Sequence, residues 1–466
     1  MAVQARAAEP TASQPTTRDL LDKIAALQSR LDQVEKKTAD QAAAEARARA
    51  ADADAIVDKV LRDANSRSQF LQQEGFTAGY TSGKFILQSA DGRFVLNPNI
   101  GFQFRGVANS RDGVKNGGSD DTQSGFEVRR LKLAFDGNMF SPDVTYRFQW
   151  NTNRKTGSLE LDEGWVRYQF HDTPFAIRAG SMGNTWDHET EVSYKRQLAV
   201  ERSLLHELIT SGGVGGEDYV QGVQFLYERE KDDPIRAFVM LHDGFNSRNT
   251  NFQDGGGGGA PVLGLKSVDW AVSGRVEYKV DGNWGDYRQY TALNNKKDLL
   301  VVGAGFDYED ADNLNALFHT VDVQWDPQAV QGLSLYAAYV GLYRDFRNVA
   351  AGAGVDNTPY DWGFVVQAGY LLNDQWEVFA RYDYTDLDAR APAGAGTLGA
   401  GARMEDKVHE ITVGANYYLY GHNAKFTLDA TYLPNGSPFN LDSAGILSQP
   451  ASKDQFVLRG QFQLLL

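Results

Sequence analysis

The seven histidines are scattered, and Asp187-His188-Glu189, with a carboxylate on each side, is the only local cluster. Histidine with carboxylates suits a divalent metal, yet a short local cluster of this kind is more simply an ordinary loop. The glycine runs Gly212-Gly213-Val214-Gly215-Gly216 and 255–259 are not followed by Lys-Ser/Thr and do not join a strand to a helix. They read as loops, not phosphate cradles. Cysteine is absent, which removes disulfides and thiolate ligands and agrees with an exported chain. A Ser-His-Asp triad is defined by geometry, and nothing in the sequence recommends one. The expectation is no catalytic residue, no metal site and no cofactor. Weak Ca2+ binding at acidic loop stretches such as Ser119-Asp120-Asp121 is the one exception left open.

The charge that remains is periodic. Arg105, Arg130, Lys132, Arg147, Arg167, Arg178 and Arg459 stand on the polar positions of alternating segments, mostly early in the chain. Glu163, Asp322, Glu377, Asp383, Glu410 and Asp429 share that parity and lie mostly later. On the wall of a water-filled tube they would form a basic wall opposite an acidic wall. Such a lumen draws anions to one side and cations to the other, and is not a clean anion trap.

The elements that must position these charges come in two kinds. From Leu20 the apolar positions are Leu20, Ile24, Leu27, Leu31 and Val34, spaced 4, 3, 4 and 3. That is a heptad seam, with Thr17 as N-cap, and it weakens afterwards into Ala42, Ala46, Ala53, Ile56 and Val60. The mixture of Ile and Leu leaves the number of chains open, a trimer included. After Arg93 the period becomes 2: Val144, Tyr146, Phe148 and Trp150 alternate with Thr145, Arg147, Gln149 and Asn151, and the pattern recurs to the C-terminus. Roughly sixteen such segments of about ten residues occur, the length a tilted strand needs to cross a bilayer. The expected fold is an all-β transmembrane barrel of about 16 antiparallel strands, preceded by an N-terminal α-helical coiled coil. The chain divides into a disordered N-terminus over 1–17, a coiled coil over 18–64, a connector over 65–92 and the barrel over 93–466.

Composition bounds this reading. The chain has 466 residues and a formal net charge of −15, which argues against nucleic acid as a partner. Mean hydropathy is −0.44, and no apolar run is long enough for a membrane helix. Barrel strands keep mean hydropathy low because every second residue faces water. The start, Met1-Ala2-Val3-Gln4-Ala5-Arg6, carries no apolar core, so an exported chain is expected to have lost its leader.

Turns such as Ser141-Pro142-Asp143, Asn373-Asp374 and Gly421-His422-Asn423 are short, whereas 182–218, 243–267, 386–407 and 434–453 are long. Outer-membrane barrels have short periplasmic turns and long external loops, so both termini are expected in the periplasm. The segment 279–298 breaks the rule and reads as an elongated periplasmic turn, the alternative being a strand count off by one hairpin. A soluble β-sandwich or trimeric fibre also alternates with period 2. Tyr and Trp crowding at strand ends, as in interfacial girdles, favours the membrane barrel.

Gly125-Phe126-Glu127-Val128-Arg129-Arg130-Leu131-Lys132-Leu133-Ala134-Phe135-Asp136-Gly137 resembles the second strand of the phosphate-selective porin O/P family. So does Phe175-Ala176-Ile177-Arg178-Ala179-Gly180-Ser181-Met182-Gly183, followed by Glu201-Arg202-Ser203-Leu204. The resemblance covers about 93–466. It implies a sixteen-stranded homotrimeric outer-membrane porin whose third external loop folds inward to constrict the pore. Here that loop is 182–218, carrying Lys195, Arg196, Glu201, Arg202 and Glu207, with the apolar stretch Leu204-Leu205-His206-Glu207-Leu208-Ile209 favouring packing inside. The chain departs from such barrels in ending Leu464-Leu465-Leu466 without a terminal aromatic, although Phe462 keeps the strand parity.

The function expected is passive diffusion of small hydrophilic solutes and ions, anions such as phosphate among them. Outer-membrane lipid surrounds the barrel, and trimers form through the barrel wall and the coiled coil. The alternative is a structural role, in which the periplasmic coiled coil meets an envelope partner and tethers or spaces the cell envelope. At about 1.5 Å per residue, 17–64 would reach roughly 70 Å.

Overall fold

Along Leu314–Asp326 buried and accessible side chains alternate, and the two faces have opposite character. Thr320, Asp322 and Gln324 are buried, whereas Val321 and Trp325 are 56% and 46% exposed. The inversion repeats near the C-terminus. Ile411, Val413, Phe426, Leu428, Phe456 and Leu458 are exposed, while Glu410, Thr412, Thr427, Asp429, Arg459 and Gln461 are buried. A soluble domain hides its apolar face. A surface that is apolar outside and polar inside is made for lipid around a wet lumen.

The structure is a computed structural model. It describes residue 18, residue 22, and residues 25–33, 36–38, 41, 75–81, 84–111, 122–210, 219–228, 233–244, 268–311, 314–347, 355–392, 405–438, 441–446 and 454–466. The chain separates into two compact units, Met1–Gly75 and Phe76–Leu466. In the second, a hairpin of β1 (Phe76–Thr81) and β2 (Lys84–Ser89) precedes the barrel. The barrel begins with β3 (Val95–Arg111), β4 (Thr122–Met139), β5 (Ser141–Thr152), β6 (Leu159–Gln169), β7 (Phe175–Gly183) and β8 (Tyr219–Glu228). It continues with β9 (Ile235–His242), β10 (Val268–Asp281), β11 (Leu299–Ala311), β12 (Leu314–Asp326) and β13 (Leu333–Phe346). Next come β14 (Tyr360–Leu371), β15 (Trp376–Asp386), β16 (Lys407–Tyr418), β17 (Ala424–Leu433) and β18 (Gln455–Leu465). Each strand pairs antiparallel with the next. β18 pairs with β3 from Gln455↔Arg111 to Leu465↔Gly101, closing a sixteen-stranded barrel without an open edge.

Every expected segment is a strand of this barrel. The connector expected over 65–92 is corrected in its second half: β1 and β2 pair along their length, Tyr80 and Phe85 lie 5.0 Å apart, and Leu87↔Leu96 and Gln88↔Val95 join the hairpin to β3. The hairpin belongs to the same compact unit as the barrel, whose own strands begin with β3 at Val95. In the other unit, Arg18, Asp22, 25–33, 36–38 and Gln41 are helical. Leu27 and Leu31 of the seam are 64% and 58% exposed on that helix. Leu20, Ile24 and Val34 lie outside the described residues, as do the terminus expected at 1–17 and Ser119-Asp120-Asp121. Among the described residues no helix is long and apolar enough to cross a membrane.

One end of the barrel carries the brief connections 170–174, 327–332, 372–375 and 419–423, and the other carries 184–218, 243–267, 387–406 and 434–454. At the long-loop end the connections 153–158 and 312–313 are short in sequence. The exception at the short-turn end, 282–298, follows an even strand as expected, so the strand count stands, but it does not hang free. Trp284 and Tyr287 pack on Leu299 and Val301. Trp284 Nε1 donates to Asp233 O at 2.8 Å, and Tyr290 lies 4.6 Å from Tyr336 on the β13 wall. The turn folds into the barrel from its short-turn end.

Candidate functional site: the inward segment and the passage beside it

Two β-bulges decide which charges reach the lumen. Gln103 pairs with Arg130 and Phe104 with Val128, which leaves Arg129 as an extra residue in β4. An extra residue re-aims its neighbours, so Arg129 and Arg130 both point inward. Their guanidinium groups reach Glu201 at 2.6 and 2.8 Å, and Arg105 reaches it at 2.6 Å. In β6 the pairing steps from Gln149↔Glu163 to Trp150↔Leu161, so Asp162 is extra. Lys132 Nζ then meets Asp162 at 2.6 Å, while Arg147 Nε meets Glu163 at 2.5 Å. Strict alternation assigns Arg129 and Asp162 to the outer face. A bulge has no signal in alternation other than two charges in succession, Arg129-Arg130 and Asp162-Glu163.

Glu201 belongs to the segment after β7. That segment makes a short helix over His188–Glu191, capped by Asp187 accepting from Thr190 N, then one 3-10 turn at Tyr194–Arg196 and a wide turn over His206–Thr210. Most of its backbone is outside any ladder, and a buried amide needs a partner. The inner wall supplies them. Val200 N donates to Asp429 Oδ2 at 2.8 Å and Leu204 N to Glu410 Oε2 at 2.7 Å. Lys425 Nζ donates to Gln197 O at 2.8 Å, Asn416 Nδ2 to Leu198 O at 3.0 Å and Arg381 Nη1 to Glu201 O at 3.0 Å. Leu198, Leu204, Leu205, Leu208 and Ile209 join Phe318, Val340, Leu342, Val365 and Phe379 in one buried cluster. The segment lies inside, against β12–β18. Gly305 leaves the wall bare where the Trp186 carbonyl approaches it, and any β-carbon there would collide with that oxygen.

This changes the reading of the expected acidic wall. Asp322, Glu377, Asp383, Glu410 and Asp429 point inward, yet each is 4% exposed or less. Asp322 is gripped by Arg275 at 2.7 Å, and Glu377 accepts from Asn416 and from Tyr418 at 2.6 Å. Asp383 lies 3.8 Å from Arg381. Glu410 and Asp429 hold the segment's backbone. Of the expected six, Glu163 borders open space. The basic set divides likewise. Arg105 is buried behind Glu201 and Glu127, Arg459 is held by Asp429 at 2.7 Å, and Arg167 pairs with Glu228 at 2.9 Å.

Open space remains on the opposite side. A cavity of about 520 Å³ lies toward the short-turn end, and one of about 230 Å³ borders it, sharing Arg147, Arg178, Thr185, Glu191 and Ser193. The larger is lined by the cationic Arg147, Arg178, Lys195, Arg196, Arg236, Arg275 and Arg288, against Asp136, Glu191, Glu228 and Glu277. Arg178 lies 5.2 Å over the Trp165 ring and Arg236 4.2 Å over Trp284. Of the residues expected on the inward loop, Lys195 and Arg196 line the larger cavity and Arg202 the smaller. Glu207 instead accepts from Ser443 at 3.3 Å. Arg236, Arg275 and Arg288 escape the sequence reading: Arg236 and Arg275 keep inner parity on β9 and β10, and Arg288 arrives on the infolded turn. The Tyr287 ring of that turn stacks 3.8 Å from His188.

Charge on the segment follows its surroundings. Burial would raise the Glu201 carboxyl, but Arg129, Arg130 and Arg105 hold it well below the usual carboxylate range. Burial, with Arg147 and Lys132 nearby, pushes the Lys195 ammonium down to about 8.

A closed sixteen-stranded barrel with a lipid-suited exterior and a charged, water-holding interior is an outer-membrane porin, a channel and not an enzyme. The chain belongs to the phosphate-selective porin O and P family, whose model matches residues 99–437. It is similar to the anion-selective porin from Comamonas acidovorans, with 11% identity, 80% of this chain and 99% of that one covered, and a TM-score of 0.50. It is also similar to Salmonella typhi OmpF, solved in complex with daunomycin, at 14% identity, 83% and 100% coverage and a TM-score of 0.51. For Pseudomonas putida OprB the values are 10%, 79% and 94%, and 0.50. These likenesses show the fold. A protein of Aquifex aeolicus (strain VF5) is 21% identical over 296 residues, 58% of this chain and 63% of that relative, so the match spans less than two thirds of it. Family and fold place the barrel in the outer membrane.

Proposed function

We propose that the barrel passes small hydrophilic solutes by diffusion with a preference for anions, and that the segment 184–210 is its constriction. The observation that carries this is the asymmetry of the lumen. The segment covers the acidic strands, and the space left beside β5–β10 is lined by seven cationic side chains against four carboxylates. Positive lining concentrates anions and repels cations in a narrow aqueous path. A family described as phosphate-selective, and a Comamonas acidovorans porin described as anion-selective, agree with anions. Arg178, whose Nε is buried without a hydrogen-bond partner, faces the narrow part and suits a phosphate oxygen. Reversal potentials of purified protein in planar bilayers under asymmetric KCl test the reading. The expected result is chloride favoured over potassium, with Arg147→Ala and Arg178→Ala each reducing that preference. Absence of any conductance, or a cation preference in the unmodified protein, overturns it.

A second role rests on a different observation: Leu27 and Leu31 are helical and about three-fifths exposed. Exposed leucines at heptad spacing ask for partner helices. In this reading three chains pair their N-terminal helices in the periplasm, adding to the contacts between barrels and spacing the membrane from the layer beneath.

A further inference from the structure

His242, Asp307 and Glu309 stand on the inner face of the barrel near its long-loop end, all three buried. Each offers one ligand atom, and these atoms lie within 4.8 Å of one another. The β ladders bring them together, since Ala271 of β10 pairs with His242 on one side and Glu309 on the other. His242 Nε2 is 3.1 Å from Asp307 Oδ1, and Asn184 Nδ2 donates to Asp307 Oδ2 at 2.6 Å. Two further polar groups at this place are unsatisfied. Asn184 Oδ1 and Ser273 Oγ are buried and have no hydrogen-bond partner. Asn184 is 5% exposed and Ser273 0%. Ser273 is the cross-strand partner of Asp307. The Asn184 amide already touches the same carboxylate, so turning it over presents its oxygen. Buried polar atoms without partners are costly, and a bound ion is one way to satisfy them. Among the described residues no arginine or lysine pairs with Asp307.

We propose that His242, Asp307, Glu309 and Asn184 form a site for a divalent transition-metal ion of the zinc class, with Ser273 beside it. One imidazole nitrogen with carboxylate and amide oxygens suits Zn2+ better than Ca2+ or Mg2+, which take all-oxygen shells. Four protein ligands in a buried place make a closed, structural site. Gly244 N–H donates to His242 Nδ1 at 3.1 Å, so metal at Nε2 moves the ring proton to Nδ1 and turns the Gly244 amide aside. The site joins β9 and β11 to Asn184, the residue that follows β7 and opens the inward segment. An ion there pins the root of that segment to the wall. The cluster of His188, Glu191 and Glu277 is a poorer candidate, because Arg275 Nε already holds Glu277 at 2.7 Å.

The test is Zn2+ titration of the full-length folded protein in detergent by calorimetry, with metal content measured after desalting. Folding of each variant is checked by its heat-dependent gel mobility. The expected result is one equivalent of Zn2+ per chain, weakened at least about tenfold in His242→Ala, Asp307→Asn and Asn184→Ala. Ca2+ and Mg2+ should not compete at equal concentration. His171, exposed beside Asp143 and Asp172, serves as the control, and His171→Ala should bind like the parent. If His242→Ala does not fold, Asn184→Ala and Glu309→Gln carry the test. No Zn2+ binding by the parent overturns the proposal. So does binding that survives all the site variants, or binding that His171→Ala abolishes. None of these readouts depends on conductance, so the site and the channel reading stand or fall separately.

Discussion

Glu201 shows how one carboxylate can hold a long connection in place. It is fully buried and pairs with Arg105, Arg129 and Arg130. Charges so far from bulk water are strongly coupled, and removing one partner leaves the others uncompensated, at a cost of roughly 3–5 kcal/mol. Glu201→Gln keeps the shape and removes the charge, so three guanidinium groups are left to repel one another. The expected outcome is a segment that leaves the wall more often. Single-channel recordings should show higher mean conductance with frequent steps, while the barrel keeps its heat-dependent gel mobility. An unchanged record would mean that the leucine cluster alone holds the segment. Lys195 adds a pH arm to the selectivity measurement. With its ammonium pushed down to about 8, the side chain is charged below that pH and neutral above it. Raising the pH from about 7 to about 9.5, across that value, therefore removes a positive charge from the passage, and chloride preference should fall. In Lys195→Gln the preference should start lower and lose that step.

At the scale of elements, the infolded turn is the least legible part. Strand periodicity is a strong signal because the inner and outer faces meet different solvents, so all sixteen barrel strands are readable from alternation. The hairpin of β1 and β2 is not readable, since Phe76, Tyr80, Phe85 and Leu87 are exposed and no buried face enforces a pattern. The inward segment is readable as an excursion with an apolar stretch, but its partners are not. Glu410 and Asp429 read as water-facing acids because parity reports the direction of a side chain, not what covers it. The turn 282–298 is visible only as a length anomaly. Its Trp284, Tyr287 and Tyr290 are buried, and Tyr287 stacks on His188, so turn and segment brace each other inside the lumen. Tyr287→Ala removes the stacked ring and the hydroxyl that Arg275 contacts at 2.9 Å. Truncating a buried aromatic costs roughly 3–5 kcal/mol when the site cannot collapse. Here the loss falls on the turn, because the strands keep their ladders. Larger conductance without loss of the folded barrel is expected, and smaller or equal conductance would show that the turn does not limit the path.

At the scale of the whole molecule, the barrel is closed by its own ladder, from β18 back to β3, and owes none of those bonds to the first unit. The 1–74 segment should thus be dispensable for folding and for conductance per pore. It should matter for association, if the heptad seam pairs between chains. Apolar contacts at heptad positions are the main source of coiled-coil stability, and a charge there is poorly tolerated. Leu27→Asp with Leu31→Asp tests this without shortening the chain. In the proposed trimer, the double variant should dissociate in mild detergent at a lower temperature than the parent, and so should the chain lacking 1–74. Both should still insert and give unit conductances equal to the parent's. Equal dissociation temperatures in all three would confine association to the barrel wall and remove the paired-helix role. Loss of conductance in the truncated chain would instead mean that the first unit contributes to the pore. The exposure of Leu27 and Leu31 in a single chain favours the first outcome, because leucines at 64% and 58% exposure gain most from a second helix.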